Sequence, residues 1–205
     1  ACGLAQNRGS GEMNRIKEKI ITSPFSVLLI IMIAGMTLYP YFVFGGEKMV
    51  ELKEKKVLMI IAERNFRDEE LLKPRKILED RGVKVIVAST SLQQARGMLG
   101  ATIKPDILLS SVKVQDYDVI TFVGGSGASQ YWNDPLAHSI AQKAVEKGKI
   151  LCAICIAPVT LANAGVLSGK KATVFSSEIS KLEAKGAIYT GKPVQVDGKI
   201  ITGEG

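Results

Sequence analysis

Imidazole is almost missing from this chain. Its 205 residues include one histidine, His138. Most thiol and serine hydrolases need a histidine base, so those chemistries have a single candidate. Three cysteines cannot build the disulfide framework of a small secreted domain. There is one tryptophan, and aromatic residues make up only 6%. The net charge is +7, yet the basic residues are spread along the chain and form no Lys/Arg-rich run interleaved with aromatics. Nucleic-acid binding is therefore not expected. The glycine-rich run GGSGAS at 124–129 lacks the Lys-Ser/Thr of a phosphate-binding P-loop. No cofactor and no metal are expected.

What is present begins with an apolar run. Residues 25–44, FSVLLIIMIAGMTLYPYFVF, pass without a charge. As a helix they would extend about 30 Å, the thickness of a bilayer core. The expectation is a transmembrane anchor, with a cleaved signal peptide as its rival. VFGG at 43–46 is a poor cleavage site. Basic residues stand on both flanks, so the positive-inside rule does not decide orientation. A short N-terminal tail usually stays inside, which predicts a membrane-anchored or exported domain outside the cytoplasm. Residues 1–24 read as an unstructured basic leader and 45–55 as a charged linker. The first twelve residues precede Met13 and read as upstream sequence. A start at Met49 would instead give a cytoplasmic protein with no anchor.

From residue 56 onward strand and helix signals alternate. Strands are predicted at 56–62, 83–89, 118–124 and 150–155, each a short apolar run suited to burial on both faces. Residues 69–81 predict a helix with Leu71, Leu72, Ile77 and Leu78 on its inner side and Asp68 as N-cap. Asp134, Pro135 and Gly148 mark the cap, first turn and stop of another helix. Residues 194–202 predict a hairpin turning at Asp197-Gly198. The alternation implies an α/β fold with a mainly parallel sheet and helices on both faces. Ligands bind such sheets at the strands' carboxyl ends. Three features fall there: the loop ERNFRDEE, the run GGSGAS and Cys155.

Three motifs, DEELLKP with Glu70 four residues before Pro74, FVGGSGA, and AICIAP around Cys155, occur in an order and spacing that resembles the DJ-1/PfpI superfamily. The trailing VDGKIITGEG resembles it too. The resemblance covers about 56–205. It implies a flavodoxin-like three-layer sandwich, with Cys155 a reactive thiol on a strand-to-helix nucleophile elbow and Glu70 its carboxyl partner. It implies that the backbone N–H groups of Gly125 and Ile156 line an oxyanion or sulfinate site. A thiolate at a helix N-terminus is expected to have a lowered pKa. Gly124, Ser126, Tyr131 and Trp132 are pocket candidates, the last two also candidates for packing or dimer contact. A homodimer or higher homo-oligomer is expected. The family ordinarily continues past the equivalent of residue 205 into a final helix.

The departures from the pattern bear on chemistry. Many members described as proteases carry histidine directly after the thiol, where this chain has Ile156. The family's glycine before proline is Ala157, and Phe175 takes the place of a further histidine. His138 falls on the rim of an exposed helix and is not expected to compensate. Cys152 and Cys155 form a C-x-x-C, but three extended residues would separate their Cα atoms by about 10 Å, beyond bridging distance. Cys152 therefore reads as core. The expected chemistry is thiolate attack on a small electrophile such as a reactive carbonyl, with Glu70 shuttling protons. The alternatives are a redox sensor or stress-protective protein oxidised at Cys155, and a PfpI-type protease or amidase.

Overall fold

The structure, a computed structural model, describes Leu52 and residues 54–205. In chain order its strands are β1 (Lys56–Ile60), β2 (Arg64–Phe66), β3 (Lys84–Ser89), β4 (Ala95–Gly97), β5 (Thr102–Ile103), β6 (Ile107–Leu108), β7 (Val119–Phe122), β8 (Ile150–Ile154), β9 (Lys171–Ala172), β10 (Ile188–Tyr189), β11 (Val194–Asp197) and β12 (Ile200–Gly203). The helices are α1 (Asp68–Glu79), α2 (Pro135–Glu146), α3 (Pro158–Asn163) and α4 (Ile179–Glu183). A seven-stranded sheet runs in the order β11-β12-β8-β7-β1-β3-β6. All its pairings are parallel except β11 with β12.

The central strands are buried on both faces, and period-two alternation sorts their side chains into two cores. Leu58, Ile60, Ile120, Phe122, Leu151 and Ala153 pack on one side with Ala137, Ile140, Ala141 and Ala144 of α2. Val57, Met59, Val119, Ile150 and Cys152 pack on the other with Leu71 and Leu78 of α1. This is the flavodoxin-like, three-layer α/β arrangement. The chain steps from β1 outward to β3, then returns to the opposite side of β1 with β7, so the carboxyl ends of β1 and β7 flank a topological switch point where open α/β sheets hold their ligands.

Helix α2 follows its sequence signals. The Asp134 carboxylate accepts from the N–H groups of Leu136 and Ala137 at 2.7 and 2.9 Å, and Gly148 takes a positive φ just past the end. Three expectations need correction. Leu72 faces outward, and Pro74 is buried in its stead. The hairpin pairs Asp197 with Ile200, so the two loop residues are Gly198 and Lys199. A positive φ at Gly198 meets the need of the first loop position, and Asp197 is the last strand residue.

Asp68 is not a cap. It is the first residue of α1, preceded by Arg67, and its buried carboxylate accepts from the N–H groups of Leu99 and Ala101 at 2.8 and 2.7 Å. It thereby clamps the β4–β5 hairpin onto the start of α1. Burial works to raise its pKa, but the backbone N–H donors and the Arg67 charge outweigh that and hold it below the usual carboxylate value.

The localisation expected from the apolar run, membrane-anchored or exported, is also corrected. Residues 25–44 lie outside the described residues, and among those described no helix is long and apolar enough to cross a membrane. Helices α1 and α2 have twelve residues each, about 18 Å against the roughly 30 Å of a bilayer core.

Replacing Asp68 by Ala removes two hydrogen bonds to a charged acceptor. Urea unfolding should show a loss of about 2 kcal/mol, and hydrogen exchange at Leu99 and Ala101 should accelerate more than exchange in β1.

Candidate active site

Strand β8 ends at Ile154, and Cys155 then takes a φ of 62°, a conformation that costs a non-glycine residue about 1–2 kcal/mol. Neighbouring chain holds the corner on both sides. The Cys155 N–H donates to the Gly203 carbonyl at 3.0 Å, and the Cys155 carbonyl accepts from the Phe175 N–H at 2.9 Å. Helix α3 is only six residues long and starts at Pro158, so Ile156 and Ala157 form a turn between thiol and helix. The N–H donors aimed at the sulfur are those of Gly125 and Ile156. Backbone at two strand ends thus supplies the donors that a helix terminus was expected to supply.

The acid arrives from the β1–α1 connection. Glu70 stands in the first turn of α1 with its carboxyl hydrogen-bonded to the Cys155 side chain. Pro74, one turn on, has no N–H to offer the Glu70 carbonyl. The other side of the carboxyl accepts from the Gly124 N–H at 3.0 Å, while the Gly124 carbonyl accepts from the Arg67 N–H at 2.9 Å. Glycine is required here by distance. A Cβ on Gly124 would lie 2.4 Å from the Cys155 Cβ and 2.6 Å from the Glu70 carboxylate, and one on Gly125 would lie 2.4 Å from both the Arg67 nitrogen and the Asn65 carbonyl oxygen.

Burial pushes Glu70 up from 4.5 to about 7, against the lowering effects of the Gly124 N–H, the Arg67 charge and the Cys155 hydrogen bond. That shift corresponds to about 3 kcal/mol of preference for the neutral acid. A hydrogen bond to a charged group contributes roughly 1.5–3 kcal/mol, so desolvation wins even though the carboxylate has a donor. The Cys155 thiol is also pushed up, first by burial and then by the Glu70 charge. This departs from the lowered thiol pKa expected at a helix terminus. The N–H groups of Gly125 and Ile156 and the Arg67 guanidinium pull the other way. A proton on Glu70 removes the repulsion and leaves a donor facing the sulfur, so the two groups titrate as a pair.

Thiol and acid open into a cavity of about 630 Å³. Gly125, Ser126, Trp132 and Ile156 line it as well. Gly124 and Tyr131 do not: Tyr131 is fully buried, donating its hydroxyl to the Ile61 carbonyl at 2.7 Å and packing edge-on against Phe122. Trp132 donates its indole N–H to the Ile156 carbonyl at 3.1 Å, and the Lys181 ammonium lies 4.9 Å from the centre of its ring. His138 is absent from the lining. Its Nε2 lies 2.8 Å from the Trp132 carbonyl.

Sequence reasoning did not single out six wall residues: Arg67, Met98, Ser129, Ser177, Glu178 and Gly205. Arg67 had a signal, standing directly before the acidic run Asp68-Glu69-Glu70, and it pairs with Glu69 at 2.7 Å. For Glu178 burial acts to raise the pKa, but Lys181 and Ser177 hold it below the usual value, so a second, ionised carboxylate faces the cavity. Phe175 also stands on the wall, half-exposed. Cys152 is fully buried within β8, its thiol pushed up to about 12 by burial, and both cysteines are free.

Residues 55–205 match the DJ-1/PfpI family. The chain belongs to the DJ-1/PfpI family. An uncharacterized protein of Methanocaldococcus jannaschii is 43% identical over 161 residues, 77% of this chain and 78% of its own length. A Pyrococcus horikoshii protein named deglycase PH1704 is 31% identical over 147 residues, 72% of this chain and 88% of its own. The solved ThiJ/PfpI domain protein from Brachyspira murdochii superposes with a TM-score of 0.71 at 32% identity, over 74% of this chain and 87% of that one. The family match begins at residue 55, so the apolar run at 25–44 lies outside it and family membership lends no support to an anchor or to export.

Two measurements probe this geometry. Because the folded pKa of Glu70 is raised, the folded chain holds a proton that the unfolded chain releases between about pH 4.5 and 7. Its contribution to stability therefore falls as pH rises through that window, by up to about 3 kcal/mol. Glu70→Gln should flatten that slope in urea titrations run from pH 4 to 8; an unchanged slope would contradict the burial of the acid. Trp132→Phe keeps an aromatic ring, smaller than the indole, and deletes the N–H. It should shift the pH profile of Cys155 alkylation while leaving the overall fold, read by circular dichroism, intact.

Proposed function

We propose that the chain is a cysteine-dependent enzyme acting on small reactive carbonyls, of the glyoxalase or deglycase kind, with Cys155 as nucleophile and Glu70 as proton shuttle. One observation carries this reading. A carboxyl whose pKa is lifted to about 7 by burial hydrogen-bonds a thiol that also faces two backbone N–H groups in a small-molecule cavity. General acids and bases work best when their pKa lies near the operating pH. The name of the Pyrococcus relative agrees with the assignment.

The chemistry follows from the groups present. The Cys155 thiolate attacks the aldehyde carbon of a 2-oxoaldehyde. A carbon–sulfur bond forms, and the carbonyl π electrons move to oxygen, which takes the Glu70 proton. The product is a hemithioacetal. Glu70, now ionised, removes the proton from the former aldehyde carbon and returns it to the adjacent carbonyl carbon through an enediol, while the hydroxyl proton of the hemithioacetal passes to the neighbouring oxygen, leaving the thioester of a 2-hydroxy acid. Water then cleaves the thioester to a 2-hydroxy acid and restores the thiol. The net change adds one water and needs no external oxidant or reductant. Gly125 and Ile156 would steady charge on sulfur at the start and on the thioester oxygen at the end.

Peptide hydrolysis fits the cavity poorly. Expelling an amine needs a proton donor; the lone imidazole is engaged with the Trp132 carbonyl, outside the lining, which leaves Glu70 as the single candidate for that work. A redox reading is favoured by the same two N–H groups, which would also hold the oxygens of a Cys155 sulfinate.

The test is consumption of methylglyoxal with release of lactate. Wild type should turn over, Cys155→Ser should be inactive, and Glu70→Gln should lose about 100-fold or more in kcat. Failure of the wild type to turn over, with stable sulfinate at Cys155 after peroxide, would replace this reading by the redox one.

A further inference from the structure

A second cleft, of about 300 Å³, opens on the small sheet β2-β4-β5. Across that sheet Arg64 of β2 is in register with Arg96 of β4, and Arg96 with Thr102 of β5. Residues in register share a face, and adjacent strands lie about 4.8 Å apart. Two guanidinium groups and a hydroxyl therefore form one row, and all three line the cleft. Ser91, Gln93 and Gln94 from the β3–β4 loop make the facing wall.

The row is unfavourable as it stands. Like charges directly opposite across strands repel. Among the described residues the ion-paired arginines are Arg67 and Arg75, and neither Arg64 nor Arg96 has a carboxylate partner. The cleft's own acid, Glu63, is engaged by the Thr90 hydroxyl, which in turn accepts from Gln130. The remaining lining is hydroxyl and amide. This contrasts with the Cys155 cavity, whose walls include Met98, Trp132 and Phe175.

We propose that this cleft binds a compact dianionic oxyanion, either free phosphate or the terminal phosphate of a small phosphorylated molecule. Two adjacent planar forks match the geometry and the charge of a phosphate group, which guanidinium binds bidentately. The hydroxyl and amide wall supplies further donors, and the cleft's single carboxylate, Glu63, is hydrogen-bonded to Thr90. The site is separate from the chemistry at Cys155 and does not depend on it.

Calorimetric titration of the full chain with inorganic phosphate and with glycerol 3-phosphate, ionic strength held constant with chloride, tests this. Saturable binding at one site is expected. Arg64→Gln and Arg96→Gln should each weaken it about tenfold or more, the loss of a charge-assisted bidentate contact. Arg64→Lys and Arg96→Lys, which keep the charge and lose the fork, should weaken it less and guard against misfolding in the glutamine variants. Lys76→Gln, on the exposed side of α1, should change nothing. Tighter binding of glycerol 3-phosphate than of phosphate assigns the cleft to a phosphorylated metabolite, and equal binding assigns it to the free anion. No saturable binding of either, or binding unchanged in folded Arg64→Gln and Arg96→Gln, overturns the proposal.

Discussion

Everything at the carboxyl edge of the sheet depends on one close approach. The backbone after β7 passes between the β1–α1 connection and the Cys155 corner with no room for a side chain. That passage lets one residue, Gly124, serve two neighbours, its N–H donating to Glu70 and its carbonyl accepting from Arg67. It also brings the Gly125 N–H to the sulfur. A single methyl group at Gly124 would separate the acid from the thiol it accompanies.

The second constraint is electrostatic. Two acidic groups share a partly buried site, and the fold supplies backbone dipoles and one peripheral guanidinium in place of an imidazole. A histidine beside the thiol would accept its proton and stay charged. Glu70 can take up a proton only by becoming neutral, so the dyad's charge differs by one from that of a Cys–His pair in either state. The cavity inherits this polarity, with a second carboxylate, Glu178, kept ionised on the far wall by Lys181.

Much of this was legible in the sequence because the relevant signals are local. Apolar runs of strand length marked β1, β3, β7 and β8, and their carboxyl ends located the edge where Glu70, the glycines and Cys155 meet. What escaped depends on contacts distant in the chain. Asp68 looked like a cap because a carboxylate before a helix usually is one; its partners, Leu99 and Ala101, are some thirty residues away. Tyr131 and Trp132 are neighbours in sequence yet face opposite ways, one into the core and one into the cavity, which a 3₁₀ turn decides and composition does not. The helix-terminus argument for the thiol failed because α3 begins two residues late. The apolar run at 25–44 was read by its length and lack of charge, and the family match starts beyond it.

The pinning of the Cys155 corner has a consequence for repair. Its N–H is tied to Gly203 and its carbonyl to Phe175, while Cys152 sits fully buried in the strand, in the layer beneath α1. Neither described cysteine can reach the other without unravelling the end of β8. A sulfenic acid at Cys155 therefore has no resolving thiol among the described residues. Its rescue falls to a thiol small enough to enter the cavity from outside, so recovery from oxidation would follow the reductant pool around the protein rather than any exchange within the fold.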